Sequence, residues 1–268
     1  MSPLLELLIL FLALGVVAGL LAGALGLGGG VVIVPALLAI YHLMDFPAEI
    51  LAQLAVATSL ATIAVTSLSA IYTHHRLGAI RWPVALPLSA GILVGAFGGA
   101  FLASAIASAT LATLFGVFAM VVAIQMALGS APRHVELPER LPPVPLLTAA
   151  GTLIGILSSM FGIGGGSMTV PFLSACRLRM QQAVAISAVC GLPIAIGGVS
   201  GFLIAGWNHP ALPSGSLGFV YLPAAAGIVL TSFPLARVGA RLAHRLPATT
   251  LKRVFAVVLF LIGLKLVL

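Results

Sequence analysis

The stretch GALGLGGGVVIVP, residues 23–35, interrupts an apolar run with three consecutive glycines and then a proline. Both residue types weaken or break helices. The hydrocarbon core of a bilayer has no water to satisfy free peptide groups, so a spanning segment does not normally leave its backbone unpaired. A break of this kind needs a structural reason, and the rest of the sequence supplies one.

The composition is that of a membrane protein. Of the 268 residues, 61% are hydrophobic and only 6% are charged, whereas soluble domains carry about 25% charged residues. Apolar runs near the ~20 residues that cross a bilayer recur along the whole chain. The runs are continuous and do not alternate, which disfavours a β-barrel. The predicted fold class is an all-α polytopic integral membrane protein.

Several other functions are disfavoured. The net charge of +7 comes from basic residues placed singly or in small groups between apolar runs, where they act as orientation signals, so we expect no nucleic acid partner. Cys176 and Cys190 have no metal-ligand spacing and no His/Cys/Asp cluster occurs, so we expect no metal and no cofactor. The histidines lie at or near loops, away from a candidate nucleophile, so we expect no enzyme and no catalytic residue.

The glycine stretch occurs twice. GLGGGVVIVP (26–35) returns as GIGGGSMTVP (162–171), with six of ten positions identical. Three further pairs follow in the same order: AVATSL (55–60) with AVAISA (183–188), LPLSAGI (86–92) with LPAAAGI (222–228), and LATLFGVF (111–118) with LKRVFAVV (251–258). Four matches in order indicate an internal duplication.

The duplication divides the chain into three parts. We predict a membrane repeat over residues 1–128, a proline-rich linker over 129–145 and a second membrane repeat over 146–268. Each repeat holds a glycine-interrupted segment followed by three transmembrane helices. These helices are predicted at about 48–72, 83–104 and 108–128, and at about 181–206, 217–236 and 247–268.

The loop charges predict that the repeats are inverted. Loops 73–81, 176–182 and 237–253 carry Arg or Lys, whereas loops 41–50, 103–110 and 207–216 carry neither. Positive loops face the cytoplasm, so equivalent loops of the two repeats lie on opposite sides. This requires an odd number of crossings per repeat, and both termini are then periplasmic in a multi-pass inner-membrane protein.

With three helices crossing, the glycine segment makes no net crossing and reads as a re-entrant helical hairpin. The second arm of the second copy has only about ten apolar residues, about half the number needed to cross. The alternative is a long kinked helix that crosses once, which would give eight crossings and parallel repeats.

The hairpin tips are the predicted binding site. A helix that starts after a glycine tip presents unpaired amides and the positive end of its dipole to an anion. Two breaks at corresponding positions of two repeats are the best sequence pointer to a transporter site. No Lys, Arg, Asp or Glu lies centrally in a predicted span, so amides and hydroxyls must hold the anion.

The predicted substrate-binding residues are Gly28, Gly29, Gly30, Gly164, Gly165, Gly166, Ser167, Thr58, Ser59, Ser187, Ser158 and Ser159. Gly26, Pro35, Gly162 and Pro171 are predicted to shape the motif. Thr169 is a further nearby hydroxyl, and Gln53, Gln181 and Gln182 either line an entrance or cap the ends of helices.

The doubled GxGGGxxxVP motif followed by A-x-x-T-S resembles the TauE/SafE family of sulfite and organosulfonate exporters, and the resemblance covers essentially the full chain. It implies transport of small sulfur oxyanions or sulfonates across the bacterial inner membrane. The second copy departs from the pattern, because Ile186 stands where the first copy has Thr58, which leaves Ser187 alone there.

We therefore predict a secondary transporter, an exporter or permease, that moves a small anion such as sulfite or sulfoacetate by alternating access. A channel-like anion facilitator is an alternative, and a non-transporting membrane scaffold protein is an alternative of another class. The expected partners are the anionic substrate and the lipid bilayer. The sequence leaves the oligomeric state open, with a homodimer as one option.

Overall fold

The computed structural model describes residues 3–25, 29–128, 141–243 and 248–267. Within these ranges the chain forms ten helices and one short hairpin of strands. The elements are α1 (Pro3–Leu25), α2 (Gly30–Leu43), α3 (Leu51–Arg76), α4 (Trp82–Ala105), α5 (Ser108–Leu128), α6 (Val144–Met160), α7 (Gly166–Ala175), α8 (Met180–Ala205), β1 (Ser216–Leu217), β2 (Val220–Tyr221), α9 (Leu222–Ala243) and α10 (Ala248–Val267).

The predicted class, an all-α polytopic membrane protein, is confirmed. In the described part of the chain, α3, α4, α5 and α8 are long and apolar enough to cross a bilayer, and shorter apolar helices accompany them. Large apolar side chains cover the outside of the bundle, among them Val94, Leu153 and Leu230, each at least 60% exposed. Such a surface suits lipid as its solvent and would be unusual in water.

Two predicted boundaries differ from the structure. Helix α6 starts at Val144, inside the predicted linker, since proline is well tolerated in the first turn of a helix; residues 129–140 of that linker lie outside the described residues. The helix predicted over 217–236 starts only at Leu222, because β1 and β2 pair antiparallel before it, with Ser216 opposite Tyr221. Gly215 and Gly218 adopt positive φ in this hairpin.

Two helix pairs pack closely through glycine. Gly91 of α4 lies against Thr148 of α6, and Gly99, two turns further on, lies against Ile156, so these helices run in the same direction. Likewise Gly19 of α1 lies against Ser232 of α9, where a Cβ would sit 2.6 Å from the Ser232 carbonyl oxygen. Small residues let membrane helices approach closely, which is a main source of their packing energy.

Helices α3 and α8 cross at the centre of the bundle. Gly191 of α8 lies against Ser67 of α3, and Gly198 lies against Leu60, so the two helices are antiparallel. Helices α5 and α10 are antiparallel as well, since Gly116 contacts Val267 whereas Met120 contacts Gly263.

The direction of the helices makes residues 144–175 a hairpin. Gly197 of α8 lies against Leu93 of α4 and Gly201 against Ala100, so α8 runs parallel to α4. Because α6 is also parallel to α4, the intervening α7 must carry the chain back. Its ten residues span about 15 Å, half the thickness of the hydrocarbon core.

Candidate functional site

The two glycine breaks meet at the centre of the bundle. Gly30 is the first residue of α2. A Cβ built on Gly30 would lie against the carbonyl oxygen of Gly162 and 2.9 Å from the Ile163 Cα. The same Cβ would lie 3.1 Å from Ile63 of α3, close to where α3 crosses α8. The start of α2 therefore touches the tip between α6 and α7.

Glycine is favoured at position 162 for two reasons. Its φ is +64°, a conformation that L-residues adopt at a cost, and a Cβ there would lie 2.8 Å from Val34 Cγ2 and 3.0 Å from Val56 Cα. This residue turns the chain between α6 and α7, so its conformation fixes where α7 begins.

Helix α7 starts with free backbone donors. Gly165 is its N-cap and supplies no side-chain cap, while its carbonyl accepts the N–H of Thr169 at 2.8 Å. The N–H groups of the first turn have no acceptor within the helix, and the positive end of the helix dipole lies there. Helix α2 starts in the same way at Gly29, whose carbonyl accepts the N–H groups of Val32 and Ile33 at 3.0 Å.

Proline adds backbone polarity within the first turns. Pro35 in α2 and Pro171 in α7 have no N–H, so the carbonyls of Val31 and Ser167 lose their usual helical donors. Both short helices therefore carry acceptors as well as donors near the tip.

The second hairpin surrounds this helix start with hydroxyls. Ser158, Ser159, Ser167 and Thr169 are all buried. The Ser159 hydroxyl donates to the Ile156 carbonyl of its own helix at 3.1 Å, and Ser158 Oγ lies 3.9 Å from the sulfur of Met168. The hydroxyls of Ser167 and Thr169 have no nitrogen or oxygen hydrogen-bond partner, and Thr169 lies beside the thiol of Cys190. A buried hydroxyl without a partner costs about 1–3 kcal/mol, so these two groups are suited to a polar ligand.

The first hairpin has no matching hydroxyls. The positions 136 residues before the four hydroxyl residues of the second hairpin are Ala22, Gly23, Val31 and Ile33. Val31 and Ile33 are buried apolar side chains at 1% and 3% exposure. At these equivalent positions, the hydroxyls therefore belong only to the second half of the chain.

Ser59, Thr58 and Ser187 have different surroundings. Ser59 of α3 donates its hydroxyl to the Gly162 carbonyl at 2.7 Å, and so holds the second tip from the first half. Thr58 Oγ1 accepts the hydroxyl of Tyr41 at 3.2 Å and the backbone N–H of Tyr221 at 3.0 Å. Ser187 donates to the Val184 carbonyl of its own helix at 2.8 Å.

The structure thus gathers most of the predicted site around one point. Gly29, Gly30, Gly162, Gly164, Gly165 and Gly166 form the tips and helix starts, while Ser59 and Ser187 face them from the crossing helices. Thr58 is bonded to the aromatic cluster of Tyr41, Phe46 and Tyr221. Gly26 and Gly28 lie outside the described residues.

Two neighbours of Thr169 were missed from the sequence, Ser89 of α4 and Cys190 of α8. The buried thiol of Cys190 lies beside the hydroxyls of Ser89 and Thr169, and neither hydroxyl has a nitrogen or oxygen partner. The three residues are far apart along the chain and carry no motif, so only the packing of α4, α7 and α8 could reveal them.

A helical bundle with a lipid-suited surface and a polar, glycine-lined centre defines a polytopic membrane protein of the transporter type. Residues 11–266 match the family described as Sulfite exporter TauE/SafE, and the chain belongs to this family. The protein is accordingly a membrane transporter.

Its relatives carry corresponding names. A "Probable membrane transporter protein" of Haemophilus influenzae is 36% identical over 96% of this chain and 97% of its own length. A probable membrane transporter protein of Methanocaldococcus jannaschii is 29% identical over 96% and 94%, and one of Bacillus subtilis is 25% identical over 97% of both chains. No solved structure matches the chain.

Proposed function

We propose that this protein is a secondary transporter that moves a small sulfur oxyanion or organosulfonate, such as sulfite or sulfoacetate, across the inner membrane by alternating access. The observation that carries the proposal is the start of α7, where free backbone amides and the partnerless hydroxyls of Ser167 and Thr169 lie together in a buried place. Amides at a helix start are a general device for binding oxyanions.

The charge balance also supports a small anion. No lysine or arginine lies centrally in a predicted span, so the amides, the hydroxyls and the helix dipole supply the attraction. A tetrahedral or pyramidal oxyanion offers several acceptor oxygens within a small volume, which matches a group of short-range donors. The family name adds sulfite as the first substrate to test.

Inverted repeats are supported by equivalent packing in the two halves. The two repeats are offset by 136 residues, so each contact can be compared with its equivalent by adding 136 to the residue of the first repeat and subtracting 136 from the residue of the second. This turns Gly15–Ile228 into Gly151–Ile92 and Gly19–Ser232 into Gly155–Ala96. All four contacts occur. Repeat-related helices α3 and α8 cross antiparallel, as do α5 and α10. A pseudo-two-fold axis in the membrane plane requires this arrangement.

The corresponding turns support the same relation. Asp45 follows α2 with a φ of 53°, and Arg177 follows α7 with a φ of 63°. Each residue is the second after its short helix, so both hairpins end in the same left-handed turn. One turn carries an acid and the other a base, as expected for equivalent turns on opposite sides of the membrane.

Within this frame we assign unequal roles to the two hairpins. The second hairpin binds the anion through the amides of α7 with Ser167 and Thr169. The first hairpin closes the site, since Gly30 packs on the Gly162 tip. Rocking one half against the other at the α3–α8 crossing would separate these tips and open the centre to one side at a time.

The test is ligand-induced stabilisation of the purified protein in detergent. Sulfite, sulfate, sulfoacetate and thiosulfate are added at equal ionic strength, and at least one should raise the unfolding temperature, because a ligand that binds only the folded state stabilises it. The double variant Ser167→Ala/Thr169→Val should lose this effect. Thr148→Val, which removes an exposed hydroxyl bonded within its own helix, should keep it. Equal unfolding temperatures in all anions would overturn the proposal.

A further inference from the structure

An aromatic cluster lies where α2 ends and α9 begins. The ring centroid of Phe46 is 5.3 Å from the centroids of both Tyr41 and Tyr221, and the last two rings are perpendicular with centroids 5.8 Å apart. Phe11 of α1 adds an edge contact to Tyr221 at 6.2 Å. Ring pairs at these distances attract each other, so the cluster joins α1, α2 and the strand before α9.

Thr58 ties this cluster to α3 with two hydrogen bonds. Its Oγ1 accepts the hydroxyl of Tyr41 at 3.2 Å and the backbone N–H of Tyr221 at 3.0 Å. Thr58 is completely buried, and a hydroxyl oxygen has two lone pairs, so its capacity to accept is used within the protein. The sequence predicted a substrate ligand at this position, whereas these bonds make Thr58 a connection between three elements.

The cluster lies between the hairpin tips and one face of the membrane. Val34 of α2 borders the second tip, since a Cβ on Gly162 would lie 2.8 Å from it. Tyr41 is seven residues further on, which is about 10 Å along the same side of the helix. The adjoining loops 41–50 and 207–216 carry no Lys or Arg, so the loop charges place the cluster on the periplasmic side of the tips.

The equivalent place in the second half has aliphatic side chains. The turn after α2 is closed by the N–H of Phe46 donating to the Tyr41 carbonyl at 3.1 Å, and the turn after α7 by the N–H of Leu178 donating to the Leu173 carbonyl at 3.1 Å. Leu173 and Leu178 are therefore the counterparts of the two aromatic residues. Both leucines are buried, but neither has a hydroxyl to donate.

The hydrogen-bond centre is missing from the second half as well. Ile186 stands where α3 has Thr58, and Ala85 stands at the position of Tyr221. The N–H of Ala85 is already used in the first turn of α4, where it donates to the Arg81 carbonyl at 3.0 Å. Apolar packing is non-directional, so the cytoplasmic counterpart lacks the two directional bonds that join the elements on the periplasmic side.

We propose that Thr58, Tyr41 and Tyr221 form a latch that holds the transporter closed toward the periplasm, while no such latch holds the cytoplasmic side. The inference rests on the alternating access of the proposed function. A path from the periplasm to the tips requires α2 and the start of α9 to move off α3, which breaks both bonds to Thr58. Without substrate, the site therefore opens toward the cytoplasm more often than toward the periplasm.

The experiment measures the reactivity of a cysteine placed behind the latch. Val34→Cys is introduced with Cys176 and Cys190 replaced by alanine; Val34 is 1% exposed, so this cysteine should react slowly in the closed protein. An impermeant maleimide is added to spheroplasts or to inside-out vesicles, with no substrate anion present. Thr58→Val should raise the labelling rate in spheroplasts at least about tenfold, which corresponds to ~1.4 kcal/mol in the closing equilibrium.

Tyr41→Phe is the second variant, because it keeps the ring and removes only one of the two bonds. It should raise the rate in spheroplasts by a smaller factor, and neither variant should raise the rate in inside-out vesicles. Thr66→Val is the matched control, since this hydroxyl of the same helix bonds to the carbonyls of Thr62 at 3.2 Å and Ile63 at 3.3 Å. It should leave both rates unchanged.

The latch is overturned if Thr58→Val and Tyr41→Phe label like the Val34→Cys protein itself. It is also overturned if labelling rises equally from both sides, which would mean a general loosening of the bundle, or rises only in inside-out vesicles. No substrate enters this measurement, so its failure is distinct from that of the proposed function. A rise in spheroplasts alone would support the latch even if sulfite were not transported.

Discussion

At the scale of single residues, the site depends on a few short contacts between the halves. Gly162 turns the second tip, and Ser59 reaches across from α3 to hold its carbonyl. Ser167 and Thr169 are left with unused hydroxyls. Structural and binding roles are therefore carried by different side chains, which makes them separable by mutation.

Ser59→Ala should destabilise the protein by about 1–3 kcal/mol, because the buried Gly162 carbonyl would lose the hydroxyl that donates to it. The unfolding temperature in detergent measures this effect. Thr113→Ala is the control, since its exposed hydroxyl bonds only to the Ala109 carbonyl of its own helix. Equal unfolding temperatures for the two variants would mean that the Ser59 contact is unimportant.

Gly162→Ala should also be destabilising. The left-handed backbone costs an L-residue about 1–2 kcal/mol, and the new Cβ would lie 2.8 Å from Val34. Gly98→Ala in α4 is the comparison, because a Cβ there has nothing within 4 Å. Gly98→Ala should unfold at or above the unfolding temperature of the unaltered protein. If Gly162→Ala also kept that unfolding temperature, the tip geometry would be wrong.

At the scale of elements, the second glycine segment is a hairpin because α6 and α8 run in the same direction. The loop charges independently predict that the glycine segments make no net crossing. The structure adds that α2 begins against the second tip and that Ser59 stabilises the tip from α3. The two short helices therefore meet by their starts, beside the crossing of α3 and α8.

The prediction from sequence worked best where a pattern repeats. The doubled GxGGG motif immediately precedes or opens α2 and α7, which begin at Gly30 and Gly166, and continuous apolar runs located α3, α4, α5 and α8 within a few residues. The β1–β2 hairpin was missed because Phe219, Val220 and Tyr221 are apolar enough to be read as the start of a helix. Ser89 and Cys190 were missed since only tertiary packing brings them to Thr169. The unequal polarity of the hairpins is visible in the sequence once the copies are aligned.

If the second hairpin alone binds the anion, replacing its hydroxyl residues by the residues of the first hairpin should abolish binding. Ser167→Val introduces the residue of position 31, and the reciprocal Val31→Ser adds a hydroxyl to the first hairpin. In Ser167→Val, the anion affinity deduced from the stabilisation should fall at least about tenfold, ~1.4 kcal/mol. In Val31→Ser, the stabilisation by the anion should persist. Equal losses in both variants would favour a symmetric site.

At the scale of the whole molecule, the fold is proposed as two halves related by an axis in the membrane plane. Equivalent turns at Asp45 and Arg177 would then lie on opposite faces. The three loops without Lys or Arg come together at one depression, which Glu49, Ala107 and His209 help to line.

The two-sided arrangement can be tested by labelling. In a background with Cys176 and Cys190 replaced by alanine, Asp45→Cys should react with an impermeant maleimide added to intact spheroplasts, and Arg177→Cys should react only after the membrane is opened. The positive-inside rule gives this direction. Reaction of both cysteines from the same side would contradict inverted repeats.

The central claim is that a sulfur oxyanion crosses the membrane through the start of α7. The most direct measurement is the initial rate of ³⁵S-sulfite uptake into proteoliposomes as a function of sulfite concentration, with Ser167→Ala/Thr169→Val and Thr148→Val reconstituted in parallel. The account predicts saturable uptake that falls at least about tenfold in the double variant, ~1.4 kcal/mol of lost interaction, and is unchanged in Thr148→Val. Uptake equal to that of protein-free liposomes, or saturable uptake unaffected by the double variant, would contradict it.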